Sequence, residues 1–357
     1  KKVMEKYIVD VKKVFDFKKK ERNNFFEKNF FEIIKFHQKN CKDYFSILKK
    51  LGFQLNKKTK SSDAPPIPVS IFKDNKLYSC KEKNIVKKLL SSGTTGNKQS
   101  QIFLDATNSK VQTKVLVQIM EYFFGKKRMP MLIIDKKFEY KDRTNLLASQ
   151  AAVNGFSILA KKTYFAFHSN GQINLKEIKK FMEEFAEEKK IVFGFTNKIF
   201  EFFLEKHNLP KNIQFKNCTL LHGGGWKKIE SKSMDPKKFK SELKKRYNFK
   251  KIVNYYGLIE QTGSIFVECN KCDSFKCSIY SDVYVRDENL KIEKQKNKEG
   301  LIQLMSLLPS SYPGNNILTE DLGLICSSET CKCNFKGKRF KIIGRSKESE
   351  IRGCANI

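Results

Sequence analysis

The stretch IVFGFTNKIFEFFLEKHNL (residues 191–209), followed by CTLLHGGGW (218–226), decides the fold class of this chain. IVFGFT is an apolar run of strand length, KIFEFFLEKHNL places apolar residues at helical spacing, and CTLLH is again strand-like. A strand, a helix and a second strand in this order form a unit whose two strands lie parallel. The glycines at the end predict a turn at the carboxyl end of the second strand.

The same alternation continues on both sides of this stretch. Strand-like runs occur at MPMLIID (129–135), TYFAF (163–167) and KIVNYYG (251–257), with helix-like segments between them. From about residue 262 the pattern changes to short strands and turns. We therefore predict an α/β fold with mainly parallel sheets flanked by helices and with a β-rich C-terminal part.

The N-terminal part follows a different pattern. Apolar and aromatic residues recur at helical spacing among Lys and Glu, which predicts a helical segment over residues 1–60. The Pro-rich stretch SSDAPPIPVSIFKD (61–74) comes next, and its prolines predict an extended segment that wraps or links.

Composition limits the classes of protein to which the chain can belong. Of its 357 residues, 40% are hydrophobic and 12% aromatic, which excludes a globally disordered chain. No apolar run approaches the roughly 20 residues that span a bilayer, and charges interrupt the N-terminal stretch (1–20). We therefore expect neither a membrane span nor a secretory signal. The ten cysteines then indicate the reducing cytoplasm rather than a disulfide framework.

The formal net charge of +33 raises the hypothesis of a nucleic-acid-binding protein. Lys and Arg together number 71, but only 8 are Arg, the residue whose rigid fork suits base and phosphate recognition. The lysines are also spread along the whole chain. The lysines are therefore interpreted as a solvated surface, and no nucleic-acid partner is expected. A nucleic-acid-binding protein stays open as the alternative that is not an enzyme.

Polar, glycine-containing stretches follow several of the apolar runs, where parallel α/β sheets bind their ligands. The first, SSGTTGNKQS (91–100), offers uncovered backbone N–H groups and several hydroxyls, as a phosphate site requires. Its spacing differs from that of P-loop nucleotide triphosphatases. The others are HGGGW (222–226), NYYGLIEQTGS (254–264), TEDLG (319–323) and GRSKESEIRG (344–353).

The order and spacing of these stretches resemble the adenylate-forming enzymes, and among them the acyl-protein synthetases of bacterial bioluminescence, cousins of the phenylacetate–CoA ligases. The resemblance begins at IPVSIFK (67–73), and HGGGWKK and SYPGNNILTEDLG are specific to this branch. It implies an adenylate-forming catalytic domain over 61–343, after the helical segment, and a hinge-like tail over 344–357. The full small swivelling domain, with its catalytic lysine, is not expected.

In such enzymes a carboxylate attacks the α-phosphate of ATP, which gives an acyl-adenylate and pyrophosphate, and a thiol then takes the acyl group. The resemblance implies that Glu260 binds Mg²⁺, that Asp321 holds the ribose hydroxyls, and that Arg345 is the arginine at the domain boundary. Ile259 stands where the superfamily usually has Thr, and Thr262 is the candidate to replace it. The implied ATP and AMP contacts also include Ser91, Ser92, Gly93, Thr94, Thr95, Gly96, Gly223, Gly224, Gly225, Tyr256 and Gly257.

The resemblance also implies an acyl acceptor and partners. In the bioluminescence synthetase a cysteine near the C-terminus accepts the acyl group and carries it to a partner reductase. Cys354 matches that position, and the nearby Arg352 favours the nucleophilic thiolate. We therefore predict activation of a carboxylic acid, a fatty acid, with an acyl-protein thioester as product. Two alternatives stay open, an inert thiol at Cys354 and transfer to CoA or a carrier thiol.

Two cysteine clusters, ECNKCDSFKC and CKCNF, have the spacing of zinc ligands brought together from separate segments. The phenylacetate–CoA ligases have a similar arrangement. The predicted zinc ligands are Cys269, Cys277, Cys331 and Cys333, with Cys272 as the competing second ligand. Free thiols in a β-rich region are the alternative.

Overall fold

The computed structural model describes residues 14–56, 58–91, 98–138, 144–206, 209–210, 212–226, 233–327, 335 and 337–346. They fall into two compact units. The first unit takes its residues from the ranges 1–123, 142–151 and 258–357, and the second from 124–141 and 152–257. The domain boundaries near residues 60 and 344 stay predictions.

Strands and helices alternate along much of the described chain. The strands are β1 (Ile67–Pro68), β2 (Ile85–Leu90), β3 (Gln101–Asp105), β4 (Met129–Lys136), β5 (Asn145–Leu147), β6 (Ala160–Phe167), β7 (Lys190–Phe195), β8 (Cys218–Gly223), β9 (Lys251–Tyr256), β10 (Phe266–Val267), β11 (Phe275–Lys276), β12 (Ser281–Arg286), β13 (Glu299–Ser306), β14 (Asn316–Ile325) and β15 (Arg339–Arg345). The helices are α1 (Lys19–Asn40), α2 (Lys42–Lys50), α3 (Ile71–Asp74), α4 (Ala106–Phe124), α5 (Ala148–Ser157), α6 (Leu175–Glu184), α7 (Thr196–Ile199), which continues as a π-helix (Phe200–Glu205), and α8 (Pro236–Tyr247). Short 3₁₀ helices lie at Ser61–Asp63, Glu82–Asn84 and Ile259–Gln261.

A parallel sheet forms the centre of the second unit. Its strands lie in the order β9-β8-β7-β4-β6, and each neighbouring pair is parallel. Nearly every residue of β4, β7 and β8 is buried, as expected of strands that are covered on both faces. The core packed against them includes Leu132, Val192, Phe203 and Leu220. The predicted parallel α/β organisation is therefore confirmed.

Local sequence signals explain where α8 begins and ends. The Asp235 side chain accepts hydrogen bonds from the N–H groups of Lys237 and Lys238, and Pro236 occupies the first turn, where its missing N–H costs nothing. Asn248 follows the helix with φ 58°, a left-handed conformation that asparagine tolerates and that ends the helix.

An antiparallel sheet dominates the C-terminal part of the first unit, as the change in sequence pattern predicts. Its strands lie in the order β11-β15-β14-β13-β12, and β1 adds to it by pairing in parallel with β14. A smaller sheet has the order β3-β2-β5. β2 and β3 are antiparallel, with Leu90 paired to Gln101, so residues 91–100 connect the two strands of a hairpin.

A buried charge cluster fixes α1 to β12. Arg22 Nη1 lies 3.0 Å from Asp282 Oδ2, and Lys338 Nζ lies 2.6 Å from Asp282 Oδ1. Burial raises the pKa of Asp282, but the charges of Arg22 and Lys338 outweigh burial and lower it to about 2. The predicted N-terminal helical segment is thus helical from Lys19 to Lys50 with a break at Cys41, and it packs on the sheet.

The prediction that residues 61–74 are extended is wrong at both ends. Ser61–Asp63 form a 3₁₀ helix, because the first proline, Pro65, restricts no residue before Ala64. Residues 71–74 form α3, one helical turn. The prolines of the stretch end at Pro68, and a proline restricts only its own conformation and that of the residue before it. Nothing therefore prevents a helical turn after Val69.

His37 on α1 is a fully buried histidine that joins two distant segments. Its Nε2–H donates to the Pro309 carbonyl at 3.2 Å, and its Nδ1 accepts from the Ser79 hydroxyl at 2.6 Å, so the ring is neutral. Burial lowers the pKa of His37 to about 4. Between pH 6.5 and 4 the unfolded chain therefore binds a proton that the folded chain does not. We expect His37 to reduce the free energy of unfolding by roughly 3 kcal/mol as the pH falls through this window.

Urea unfolding of wild type and His37→Gln between pH 7 and 4.5 tests this expectation. The variant should be less stable at pH 7, and the difference from wild type should shrink as the pH falls. His168→Gln, at an exposed position, is the control and should follow wild type. A difference between wild type and His37→Gln that stays constant over the whole range would contradict the assignment.

No helix among the described residues combines the length and the apolar character that crossing a membrane requires.

Candidate active site

The glycine turn after β8 lies at the carboxyl end of a parallel strand, and two of its three glycines, Gly223 and Gly224, are needed for different reasons. A Cβ on Gly223 would lie 2.5 Å from Tyr255 Cε1 and 2.6 Å from the Tyr255 carbonyl oxygen, so β8 and β9 could not approach each other. Gly224 has φ +75°, which side chains other than glycine rarely adopt. A Cβ on Gly225 would meet no atom of the described residues within 4 Å. Gly225 therefore has open space beside it.

His222 and Thr196 stabilise the glycine turn by hydrogen bonds. Thr196, the first residue of α7, donates its hydroxyl hydrogen to the Gly223 carbonyl at 3.2 Å, and His222 Nδ1 lies 3.0 Å from the same hydroxyl. Burial, together with the charge of Lys240, lowers the pKa of His222 to about 3, so the ring is neutral at physiological pH. The turn is held by a neutral hydrogen-bonded chain rather than by an ion pair.

Tyr256 and Gly257 are the last two residues of the second unit. Tyr256 is the last residue of β9 and half-buried, and Gly257 is exposed directly after it. The nucleotide contacts predicted for Gly223, Gly224 and Gly225, and for these two residues, stay predictions.

In the first unit, Ser91 closes the neck of the hairpin loop. Its N–H donates to the Ser100 carbonyl at 3.0 Å, and its hydroxyl accepts from the Ser100 N–H at 2.8 Å. The Gln99 side chain donates to the Ser91 carbonyl at 2.8 Å. Ser91 therefore holds the two ends of the loop together. Ser92, Gly93, Thr94, Thr95 and Gly96 lie outside the described residues.

Glu260 is a buried carboxylate in the 3₁₀ helix that follows Leu258, with 7% of its surface exposed. Burial raises the pKa of its carboxyl, while a hydrogen bond with the Ser100 side chain lowers it. Among nearby charges, Glu320 raises and Lys73 lowers the pKa of Glu260. Glu260 thus lies beside the neck of the loop and within electrostatic reach of one carboxylate and one ammonium group.

The backbone around Glu260 is fixed tightly. The side-chain amide of Gln261 donates to the carbonyls of Leu304 and Gly314, at 3.1 and 2.9 Å. A Cβ on Gly314 would lie 2.4 Å from the Glu260 carbonyl oxygen. Gly263 has φ +85°, and a Cβ on this residue would clash with Gln112 of α4. The Glu260 carboxylate is therefore presented from a rigid loop.

Asp321 and Arg345 face each other across two antiparallel strands. They are paired residues of β14 and β15, and the Asp321 N–H donates to the Thr319 hydroxyl at 3.1 Å. The Arg345 guanidinium bonds the carboxylate of Glu320, and Lys73 Nζ lies 3.8 Å from Glu320 Oε1. Glu320 therefore bonds Arg345, precedes Asp321 in β14, and is within electrostatic reach of Glu260.

The cysteines are arranged less simply than their spacing suggests. Cys269 and Cys272 share a tight turn, in which the Cys269 carbonyl accepts the N–H groups of Cys272 and Asp273 at 3.2 and 2.9 Å. Cys277 is fully buried, and burial, with the Asp282 charge, raises its pKa to about 12. Among the described residues, no three Cys, His, Asp or Glu side chains are placed to hold a metal ion. Cys331, Cys333 and Cys354 lie outside the described residues.

Three functional candidates escaped the sequence analysis, namely Lys73, Ser100 and Glu320. Lys73 lies in the segment IPVSIFK, where the family resemblance begins. An extended conformation of this segment does not predict that Lys73 lies beside β14. Glu320 stands next to the predicted Asp321 in the motif TEDLG, which by itself assigns Glu320 no role. The signal that could have identified both is the parallel pairing of β1 with β14, which periodicity alone does not show.

Comparison with known proteins agrees with this architecture. A family model described as acyl-protein synthetase, LuxE, matches residues 3–357. The long-chain-fatty-acid–luciferin-component ligase of Aliivibrio fischeri is 25% identical over 312 residues, which cover 82% of this chain and 77% of that protein.

Solved structures with the same fold include 2-hydroxyisobutyryl-CoA ligase in an open conformation, in complex with 2-HIB-AMP and CoA. Its TM-score is 0.69 at 12% identity, over 94% of this chain and 77% of the ligase. The thioesterification state of that ligase has a TM-score of 0.69 at 13% identity, over 94% and 70% of the two chains. At such identities the likeness establishes the fold. Because the family model spans nearly the whole sequence, the chain belongs to the acyl-protein synthetase (LuxE) family, and it is a ligase with the fold of the adenylate-forming enzymes.

Proposed function

We propose that this chain uses ATP to activate a carboxylic acid, a fatty acid, and passes the acyl group to a thiol. The carboxylate oxygen attacks the α-phosphorus of ATP, the bond from that phosphorus to the bridging oxygen breaks, and pyrophosphate leaves. A thiolate then attacks the acyl carbon, the carbon–oxygen bond to phosphate breaks, and AMP leaves. The family description supports a protein as acyl acceptor, and the name of the A. fischeri relative supports a long-chain fatty acid.

The observation that carries this proposal is the buried Glu260 beside the neck of a hydroxyl-rich loop. A carboxylate with a hydroxyl neighbour is the oxygen-rich surrounding that Mg²⁺ prefers, and Mg²⁺ keeps most of its coordination for water and phosphate oxygens. The residues present therefore fit the metal. When bound, Mg²⁺ would neutralise charge that develops on the phosphate oxygens.

The remaining residues of the first unit take supporting roles in the proposal. Asp321 accepts hydrogen bonds from the ribose hydroxyls, and residues 92–96 bind phosphate oxygens. Arg345, paired with Asp321 across the strands, adds positive charge beside the nucleotide. Cys354 is proposed as the acyl acceptor, in preparation for a partner acyl reductase.

Carboxylate-dependent ATP–pyrophosphate exchange, measured over a panel of acids of different chain length, tests the proposal. Exchange that depends on a fatty acid supports it, and the absence of exchange with every acid contradicts it. Label that appears only in acyl-CoA when CoA is supplied would favour the CoA ligase alternative.

We also propose a structural zinc ion held by Cys269 and either Cys272 or Cys277, together with Cys331 and Cys333. The support is the tight turn that carries Cys269 and Cys272, because paired cysteines on one turn commonly bind zinc. Metal analysis of reduced protein should give about one zinc per chain, and a chelator should lower the melting temperature.

Paired variants decide between the two candidate ligands. If Cys272 is the second ligand, Cys272→Ser should lose zinc and Cys277→Ser should keep it, and the reverse result would assign Cys277. Cys218→Ser, in the second unit, is the control and should keep the metal. A reduced wild-type sample without zinc would refute the site.

A further inference from the structure

The helical turn α3 is attached to β14 directly before the Thr319-Glu320-Asp321 sequence. Ile67 of β1 pairs with Ile317, and the Val69 N–H donates to the Leu318 carbonyl at 3.0 Å. Phe72 is fully buried, with its ring edge-on to that of Tyr312. The backbone of Lys73 is therefore held firmly at this end of β14.

The ammonium group of Lys73 is only loosely paired. Its Nζ lies 3.8 Å from Glu320 Oε1, whereas a charge-assisted hydrogen bond measures about 2.7–2.9 Å. Among the described residues the Lys73 ammonium group makes this ion pair, and the hydrogen bond that Lys73 donates comes from its backbone N–H, to the Ser70 carbonyl at 2.9 Å. The side chains of Lys73 and Glu320 are 38% and 20% exposed, so the three Lys73 donors can reach a ligand.

Among the described residues, the other positive charges near Lys73 are already paired with carboxylates, as Lys98 is with Asp74. Glu260 and Glu320 are both carboxylates, and Asp321 adds a third next to Glu320. Arg345 is already bonded to Glu320. The phosphates of ATP bring further negative charge, so a site built on these residues needs a cation that can leave its present partner.

We propose that Lys73 is that cation, and that it exchanges Glu320 for an oxygen of the nucleotide α-phosphate. The inference rests on the proposed function. If Asp321 holds the ribose, the α-phosphate, which is joined to the same sugar through its 5′ oxygen, lies only a few bonds from Asp321. Lys73 is already paired with Glu320 and within electrostatic reach of Glu260. Glu320 thus holds the ammonium group in place until the nucleotide arrives.

Binding of AMP and of adenosine, measured by titration calorimetry at low salt, tests this contact. Lys73→Met should weaken AMP binding by about 10- to 100-fold and leave adenosine binding unchanged, because only AMP carries the α-phosphate. Lys73→Arg should restore part of the affinity, since it keeps the charge. Glu320→Gln should bind AMP at least as tightly as wild type, because it removes a competing anion.

Lys76→Met is the matched control, because Lys76 is exposed in the same segment and should bind both ligands like wild type. If Lys73→Met binds AMP as tightly as Lys76→Met does, the contact is refuted. Equal losses of AMP and adenosine binding would also refute it and assign Lys73 a purely structural role. A wild-type protein that binds AMP but shows no exchange with any acid would instead contradict the proposed function and leave the Lys73 contact standing.

Discussion

Glu260→Gln is expected to lower carboxylate-dependent ATP–pyrophosphate exchange by about two to three orders of magnitude without lowering the melting temperature. The amide cannot replace a carboxylate as a Mg²⁺ ligand, and electrostatic stabilisation of the transferring phosphoryl group is worth several kcal/mol. The fold, by contrast, gains from the substitution, because burial disfavours the charged form of Glu260 and an amide of the same size can still bond Ser100. The melting temperature should stay constant or rise.

Glu268→Gln is the matched control for this experiment, because Glu268 is a carboxylate of the same unit and is 8% exposed, against 7% for Glu260. It should exchange pyrophosphate like wild type. Exchange by Glu260→Gln within about threefold of wild type would remove Glu260 from the metal site. A fall in melting temperature would show that the charge of Glu260 supports the fold.

Cys354→Ser is expected to separate activation from transfer. Activation does not involve a thiol, so exchange should stay near wild type, whereas labelling by radioactive fatty acid and ATP should disappear. Serine has nearly the size of cysteine, but its hydroxyl is a far weaker nucleophile at neutral pH. The measurement is gel autoradiography with and without hydroxylamine, which cleaves thioesters.

Cys80→Ser is the control for the thiol. Burial raises the pKa of Cys80 to about 11, so its reactive thiolate is scarce at neutral pH, and its loss should not affect labelling. Hydroxylamine-labile label that persists in Cys354→Ser would transfer the acceptor role to another cysteine. Loss of exchange as well as label would show that the segment is needed for activation.

The glycine turn illustrates how much of the site the sequence predicts. HGGGW after an apolar run predicts a turn at the carboxyl end of a strand, and the structure confirms it. Why Gly223 must be a glycine could not be predicted, because the requirement comes from the ring of Tyr255 on the neighbouring strand. The spacing of apolar residues predicts which helix or strand a residue belongs to and which face of it the residue occupies. It does not predict which residues of other elements that residue contacts.

Lys73 and Glu320 illustrate the same limit more strongly. Both belong to segments that the family resemblance identified, and the α/β class and the β-rich C-terminal part were predicted correctly. Their ion pair depends on β1 adding to the edge of a distant strand in one particular register. A two-residue strand that contains a proline gives no alternation pattern from which that register could be derived.

The attachment of β1 and α1 to the C-terminal sheet also sets the order of events during synthesis. The Asn316 side chain donates to the Ala64 carbonyl 252 positions earlier, and Arg22 bonds Asp282 over 260 positions. At about 5–20 residues per second, a ribosome needs more than about ten seconds to make the second partner of either pair. The parallel sheet of the second unit consists of nearer neighbours and can form sooner. A nascent chain is therefore expected to carry its glycine turn before it has the Glu260, Glu320 and Lys73 cluster, and, if the proposed function holds, to be unable to consume ATP until Glu320 has been made.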